Sequence, residues 1–137
     1  MDWKECCDKR IVKDVEPDAD FIKSLIMSSK NKLESESRLE MSDITAASKL
    51  SLAYDSLREL LEAFALKKGY KVYNHECYAA FLKEIIGESS KGDEFDDVRK
   101  VRNALNYYGK VISTKESDDI ISRIKSLRSF VYNLLEK

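Results

Sequence analysis

The stretch SDITAASKLSLAYDSLRELLEAFALKKG, residues 42–69, decides the fold. Ser42 or Asp43 can cap a helix here, and Gly69 can end it. Between them Ala46, Leu50, Ala53, Tyr54, Leu57, Leu60, Leu61 and Phe64 mark one wide apolar face. A second, weaker face opposite it combines small residues with two leucines: Ser48, Leu52, Ser56, Ala63 and Leu66. A helix with two faces to cover belongs at the centre of a bundle. Either a third helix of the same chain covers the second face or a second protomer does, and an isologous dimer is one use of it.

Upstream, Pro17 sits where a first helical position would be, with Asp18 and Asp20 following in the first turn, where anions favour the helix dipole. Phe21, Ile22, Leu25, Ile26 and Leu33 then recur at helical spacing, so the first helix runs roughly from 18 to 40. Residues 1–16 are charged and without a clean period; they read as an irregular or partly ordered arm, with Trp3 its one large apolar group to dock on the bundle.

Downstream, residues 69–73 form a connector with two aromatics, Tyr70 and Tyr73. Asn74 caps a short third helix, with His75 its first helical residue and Gly87 its end. Residues 88–94 read as a polar loop before a fourth helix. The last helix opens with the capping box Ser113-x-x-Glu116 and carries the stripe Ile120, Ile124, Leu127, Val131 and Leu134. No strand-like alternation persists. The expectation is an all-α antiparallel bundle of four to five helices, forming one domain over residues 17–137.

Composition narrows the function. With 24 basic and 25 acidic residues the net charge is −1, which excludes a generally basic nucleic-acid surface and leaves only a local patch. The three cysteines, Cys6, Cys7 and Cys77, are odd in number and two are adjacent, which suggests neither a disulfide framework nor a common metal site. A reducing cytoplasm is the simplest setting. No apolar run approaches a membrane span, no secretory signal is evident, and neither metal nor cofactor is implied.

The local patch is Val98-Arg99-Lys100-Val101-Arg102-Asn103-Ala104-Leu105-Asn106-Tyr107-Tyr108-Gly109-Lys110, with four cations and no acid. At 100° per residue Val98, Val101, Leu105 and Tyr108 share an arc of about 80° that faces the core. Arg102 and Asn106 lie along its edge, Arg99 and Asn103 just beyond, and Gly109 closes the helix. A guanidinium at such a margin suits a phosphate or carboxylate, asparagine both donates and accepts, and a tyrosine beside them can stack on a base. A solvated helix edge has the same composition. Asp55, Arg58 and Glu62 are candidates for the lining of a cleft, with a charged exposed face the preferred reading, and His75 reads as local structure or solvated surface.

These features together resemble the HEPN domain, a small helical bundle. The resemblance covers roughly residues 20–135. It rests on Ala53-Tyr54-Asp55-Ser56-Leu57-Arg58-Glu59, on Lys68-Gly69-Tyr70-Lys71-Val72 before Asn74-His75-Glu76, and above all on Arg102-Asn103-Ala104-Leu105-Asn106-Tyr107-Tyr108-Gly109. The family's signature is an Arg, commonly followed by a polar residue, with a His four to six residues after the Arg; Arg102 and Asn103 match its first half. Many members are metal-independent endoribonucleases, and others partner minimal nucleotidyltransferases in toxin–antitoxin pairs. The resemblance implies a homodimer in which Arg102 and Asn103 of both copies face a common cleft.

The departure from the signature bears on function. Positions 106–108 read Asn106, Tyr107 and Tyr108, with no His. Cleaving RNA through its own 2′-hydroxyl needs proton transfer near neutral pH, and a tyrosine of pKa about 10 is ionised roughly one part in a thousand at pH 7. Arg102 can still neutralise phosphate charge. The expected function is therefore a HEPN-like dimer that binds RNA or a nucleotide, a partner such as a nucleotidyltransferase, or both. Its ligand-binding residues would be Arg99, Arg102, Asn103, Asn106 and Tyr107. The alternative is a variant endoribonuclease using Arg102, with Tyr107 or a recruited His75 in place of the missing base.

Overall fold

A computed structural model describes residues 1–107 and 111–137, the side chain of Tyr107 excepted. The protein is an all-α helical bundle with a single two-stranded ribbon among the described residues. In chain order the elements are α1 (Trp3–Asp8), β1 (Val12–Asp14), α2 (Ala19–Arg38), α3 (Ala46–Lys67), β2 (Tyr70–Val72), α4 (Glu76–Ala80), α5 (Ser89–Tyr107) and α6 (Thr114–Leu135). A π-helical turn, Phe81–Ile85, continues α4.

Helix α3 is the axis. Leu50, Ala53, Tyr54, Leu57, Leu60 and Leu61 are fully buried, and so are Ser56 and Ala63 on the opposite side. The second face expected from the sequence is covered from Ser56 to Leu66 by the chain's own helices, and Ser56 shows how. Its hydroxyl donates to the Ser29 carbonyl (2.8 Å) while the Ser29 hydroxyl donates to the Ser56 carbonyl (2.6 Å). Arg128 of α6 donates to both hydroxyl oxygens, at 2.7 Å to Ser56 and 3.1–3.2 Å to Ser29. Small residues let α2, α3 and α6 close around this knot, so that part of α3 offers no surface for a second copy.

Polar contacts also fix the directions. Lys49 donates to the Glu36 and Leu39 carbonyls at the α2 C-terminus, where a cation favours the helix dipole. Together with the Ser29–Ser56 contact this sets α2 antiparallel to α3. Arg128 meets α3 at Ser56, and Ser117 donates to the Ala46 carbonyl at 2.7 Å. Helices α3 and α6 therefore run the same way, so the bundle is not antiparallel throughout as expected.

Helix ends follow local chemistry. Asp18 accepts from the amides of Asp20 and Phe21, both at 3.1 Å. Ser113 accepts from the Glu116 amide at 3.1 Å. Gly69, at φ +93°, ends α3. Thr45, rather than Ser42 or Asp43, occupies the cap position of α3, with Ser42 hydrogen-bonded to it.

Several expectations change. The first sixteen residues are not an irregular arm: α1 and β1 are formed, and β1 pairs antiparallel with β2 in the register Val12↔Val72, Lys13↔Lys71, Asp14↔Tyr70. Trp3 does dock, edge-on to Tyr70 at 5.1 Å and tilted against Phe81 at 6.0 Å. The polar stretch 88–94 is mostly helix, because α5 starts at Ser89. The cysteines are not three free thiols either. Cys6 and Cys77 are buried and disulfide-bonded across a sequence separation of 71, since α1 folds back onto α4; Cys7 is a free, exposed thiol. No helix is long and apolar enough to cross a membrane among the described residues.

Helix α5 starts against α4 and its π-helical extension. A Cβ on Gly92 would stand 2.5 Å from the Lys83 Cγ and 2.8 Å from the Ala79 carbonyl oxygen. Alanine gains about 1 kcal/mol of helix propensity, but overpacking against backbone costs about 1–3 kcal/mol. Gly92→Ala is expected to lower the denaturant midpoint; an unchanged or raised midpoint would show that the contact relaxes freely. Reduction of the Cys6–Cys77 bond is expected to cost about 2–5 kcal/mol, measured by urea unfolding with and without a dithiol reductant.

Candidate functional site

The end of the β-ribbon and the start of α4 lie against the cationic part of α5. Tyr73, Asn74, His75, Arg99 and Asn103 line a groove of about 280 Å³. Asn74 accepts from the Glu76 amide at 2.9 Å, doing the capping for which the sequence singled it out, and His75 sits at the cap position itself. His75 is not solvated surface. Its ring packs against Tyr54 and Tyr78, with centroids 5.9 and 6.2 Å away.

The His75 contact with Tyr54 defines its chemistry. Tyr54 is fully buried, and its hydroxyl lies 3.1 Å from His75 Nδ1. Burial pushes the phenol far above its ordinary pKa, with Arg102 opposing in part, so it keeps its proton. A buried hydroxyl needs an acceptor, and Nδ1 is the one in reach. That assigns the tautomer: Nδ1 accepts and Nε2 carries the hydrogen. Burial, then the charges of Arg58, Arg102 and Arg99, lower the imidazole to about 4. At neutral pH His75 is an uncharged hydrogen-bond donor.

Each arginine around it is braced by a carboxylate. Arg99 donates through Nε and Nη2 to Asp96, at 3.0 and 2.7 Å. Partial burial would raise the Asp96 carboxyl, but the Arg99 hydrogen bond and charge, with Lys100, outweigh it and hold the group below its usual range. Arg102 approaches Asp55 at 3.7 Å and lies over the Tyr54 ring, 5.1 Å from its centroid. With the Asn106 amide turned to present its oxygen, Asn106 accepts from Arg102 Nε at 3.0 Å. Arg58 pairs with Glu62 at 2.9 Å. Asp55, Arg58 and Glu62 are thus partly buried around this cluster rather than on an open charged face.

The structure divides the residues picked out from the sequence. Arg99 and Asn103 share the groove with His75, whereas Arg102 and Asn106 lie beside it, Arg102 turned toward α3. Tyr107's side chain, Tyr108 and Gly109 are outside the described residues. Sequence reasoning missed Tyr73 and Asn74 as lining residues; the signal available was their position immediately before His75. A groove of similar size between α5 and α6 is lined by Val101, Leu105 and Ile120, with the carboxylates Glu116 and Asp119 beside a single cation, Arg123. Among the described residues no group of His, Cys, Asp and Glu side chains is arranged to hold a metal ion.

No family model, curated protein or solved structure matches the chain.

The His75 environment has a pH signature. Its folded-state value lies below the ordinary 6.5. As pH falls from about 6.5 to about 4, the unfolded chain takes up a proton that the folded chain refuses, so stability is lost across that window. Above it the ring is neutral in both states. His75→Asn keeps an acceptor oxygen near the Nδ1 position and removes the titration. The variant is expected to show a flatter dependence of the urea midpoint on pH over that window; an unchanged slope would place the titration on another group.

Proposed function

We propose that this chain is a HEPN-like module that binds RNA or a nucleotide through phosphate contacts in the groove of Arg99, Asn103 and His75, without cleaving it. The observation that carries this reading is that Arg99, Asn103 and His75 line one groove, residue types that can offer a guanidinium, an amide and a neutral imidazole N–H. Such a set recognises a phosphate oxygen with charge and direction together. Arg102, braced by Asp55 and Asn106 over the Tyr54 ring, holds the positive potential behind the groove.

The same geometry argues against catalysis. A histidine of pKa about 4 is unprotonated at neutral pH, so it is no general acid. Its free lone pair is spent on Tyr54, so it is no general base either. One observation favours the endoribonuclease alternative, with Arg102 as the electrostatic group: His75 stands in the same groove as Asn103, and a bound phosphate would raise the imidazole's pKa. The cysteine count alone points to a reducing cytoplasm, and the Cys6–Cys77 bond removes that ground, since such bonds persist in oxidising compartments. A homodimer or a nucleotidyltransferase partner, as the HEPN resemblance implies, would dock on surface other than the Ser56 knot.

The test is incubation of purified protein with labelled single-stranded RNA, without added metal, scoring retention and cleavage together. Wild type is expected to retain the RNA intact. Arg99→Ala should weaken binding about 10-fold or more, the loss of one charged hydrogen-bonded contact, and reduce the salt dependence by about one phosphate. Cleavage by wild type that disappears in Arg102→Ala would establish the endoribonuclease instead. Neither retention nor cleavage would leave the arginines as braces of the bundle.

A further inference from the structure

The two-stranded ribbon leads directly into the groove and has a face that the function so far leaves unused. Side chains alternate along a strand, so Val12 and Val72 share one face while Lys13, Lys71 and Tyr73 share the other. The valine face is turned inward, with Val12 buried. On the outer face Tyr73 is 57% exposed, a large aromatic ring left open to solvent although it lines the groove. Lys13 and Lys71 reach that ring from both strands, their ammonium groups 5.4 and 5.6 Å from its centroid. They are also register partners, and like charges directly opposite one another destabilise a strand pair. An anion between them removes that cost.

We propose that Tyr73, with Lys13 and Lys71, forms a second subsite that stacks one unpaired base of a single-stranded nucleic acid and holds its flanking phosphate, while the adjacent phosphate occupies the Arg99–His75 groove. The inference rests on the reading of the groove as a phosphate site and deepens it: the ligand is a strand, not a mononucleotide. Three features carry it. Every base has a π-face, so one exposed tyrosine accepts any of them. Tyr73 belongs to the groove lining and to the ribbon face at once, which joins the two subsites without a gap. The lysines lie over the ring on flexible stems, so a base takes a ring face as an ammonium swings from it to a phosphate, and three cations, Lys13, Lys71 and Arg99, then follow one backbone despite a net charge of −1 for the chain.

The test compares three probes by competition and anisotropy: a short oligouridylate, uridine monophosphate, and an abasic strand of the same length. Wild type is expected to bind the oligomer at least 10-fold more tightly than the monophosphate. Tyr73→Ala should weaken oligomer binding about 5-fold or more, the scale of one lost base–aromatic stack, and Tyr73→Phe should restore it. The abasic strand should bind weakly and respond to neither substitution. Because Tyr73 is exposed, both variants fold. Oligomer binding that is lost in Arg99→Ala but equal in wild type and Tyr73→Ala would overturn the stacking subsite and leave the groove reading intact. No binding of any probe, or binding unaffected by Arg99→Ala, would overturn the groove reading and this inference with it.

Discussion

A helix buried on every side has nowhere to send an unpaired polar group. That constraint governs this fold, because α3 is buried on both faces along most of its length. An unsatisfied buried donor or acceptor costs about 1–3 kcal/mol, so each polar side chain of α3 that turns inward needs a partner on a neighbouring helix. Ser56 takes Ser29 and Arg128, Lys49 takes the carboxyl end of α2 and the Glu36 side chain, and Glu59 takes Lys32. Each pair links two elements and removes one alternative register. Hydrophobic burial assembles the helices; these pairs say which residue meets which.

The Tyr54–His75 contact belongs to the same class, and it has a consequence for chemistry. The phenol must donate, so the imidazole must accept at Nδ1, and the remaining N–H must point away from the core. The core therefore dictates the tautomer of a groove residue. A half-buried carboxylate does similar work for Arg102, whose guanidinium lies over the Tyr54 ring and 3.7 Å from Asp55. In the proposed reading Arg102, which with Asn103 matches the first half of the HEPN signature, shapes the potential behind the groove, while Arg99, one turn earlier, is the residue to meet a ligand.

Much of the fold was legible because periodicity and capping are local. The two-faced pattern of 46–66, Asp18 at the start of α2, Gly69 at the end of α3 and Ser113 at the start of α6 all come from residues within one helical turn of each other. What escaped the sequence depends on distant partners. Val12 and Val72 make strands only because they find each other, three residues a side being too few to show alternation. Cys6 and Cys77 meet because α1 folds onto α4. The stretch 88–94 has the polarity of a loop, yet Gly92 lets it pack as helix against Ala79 and Lys83. At the site, Arg99 and Asn103 were visible at the edge of an apolar stripe. The role of His75 was not, because nothing near it in sequence announces a buried phenol at position 54.

The balance of charge says what kind of binder such a site makes. The arginines around the groove already have carboxylate partners: Arg99 holds Asp96, Arg102 holds Asp55, Arg58 holds Glu62. In the proposed reading an incoming phosphate does not meet bare cations; it would have to exchange with Asp96 for Arg99. That exchange returns less than a fresh ion pair would, and the long-range attraction of a chain near neutrality is small. Affinity then has to come from several modest contacts made at once, each needing its own piece of the ligand. A mononucleotide offers one phosphate and one base, whereas a strand offers a repeating series of both. In the proposed reading the pre-paired arginines therefore favour an extended ligand over a compact one.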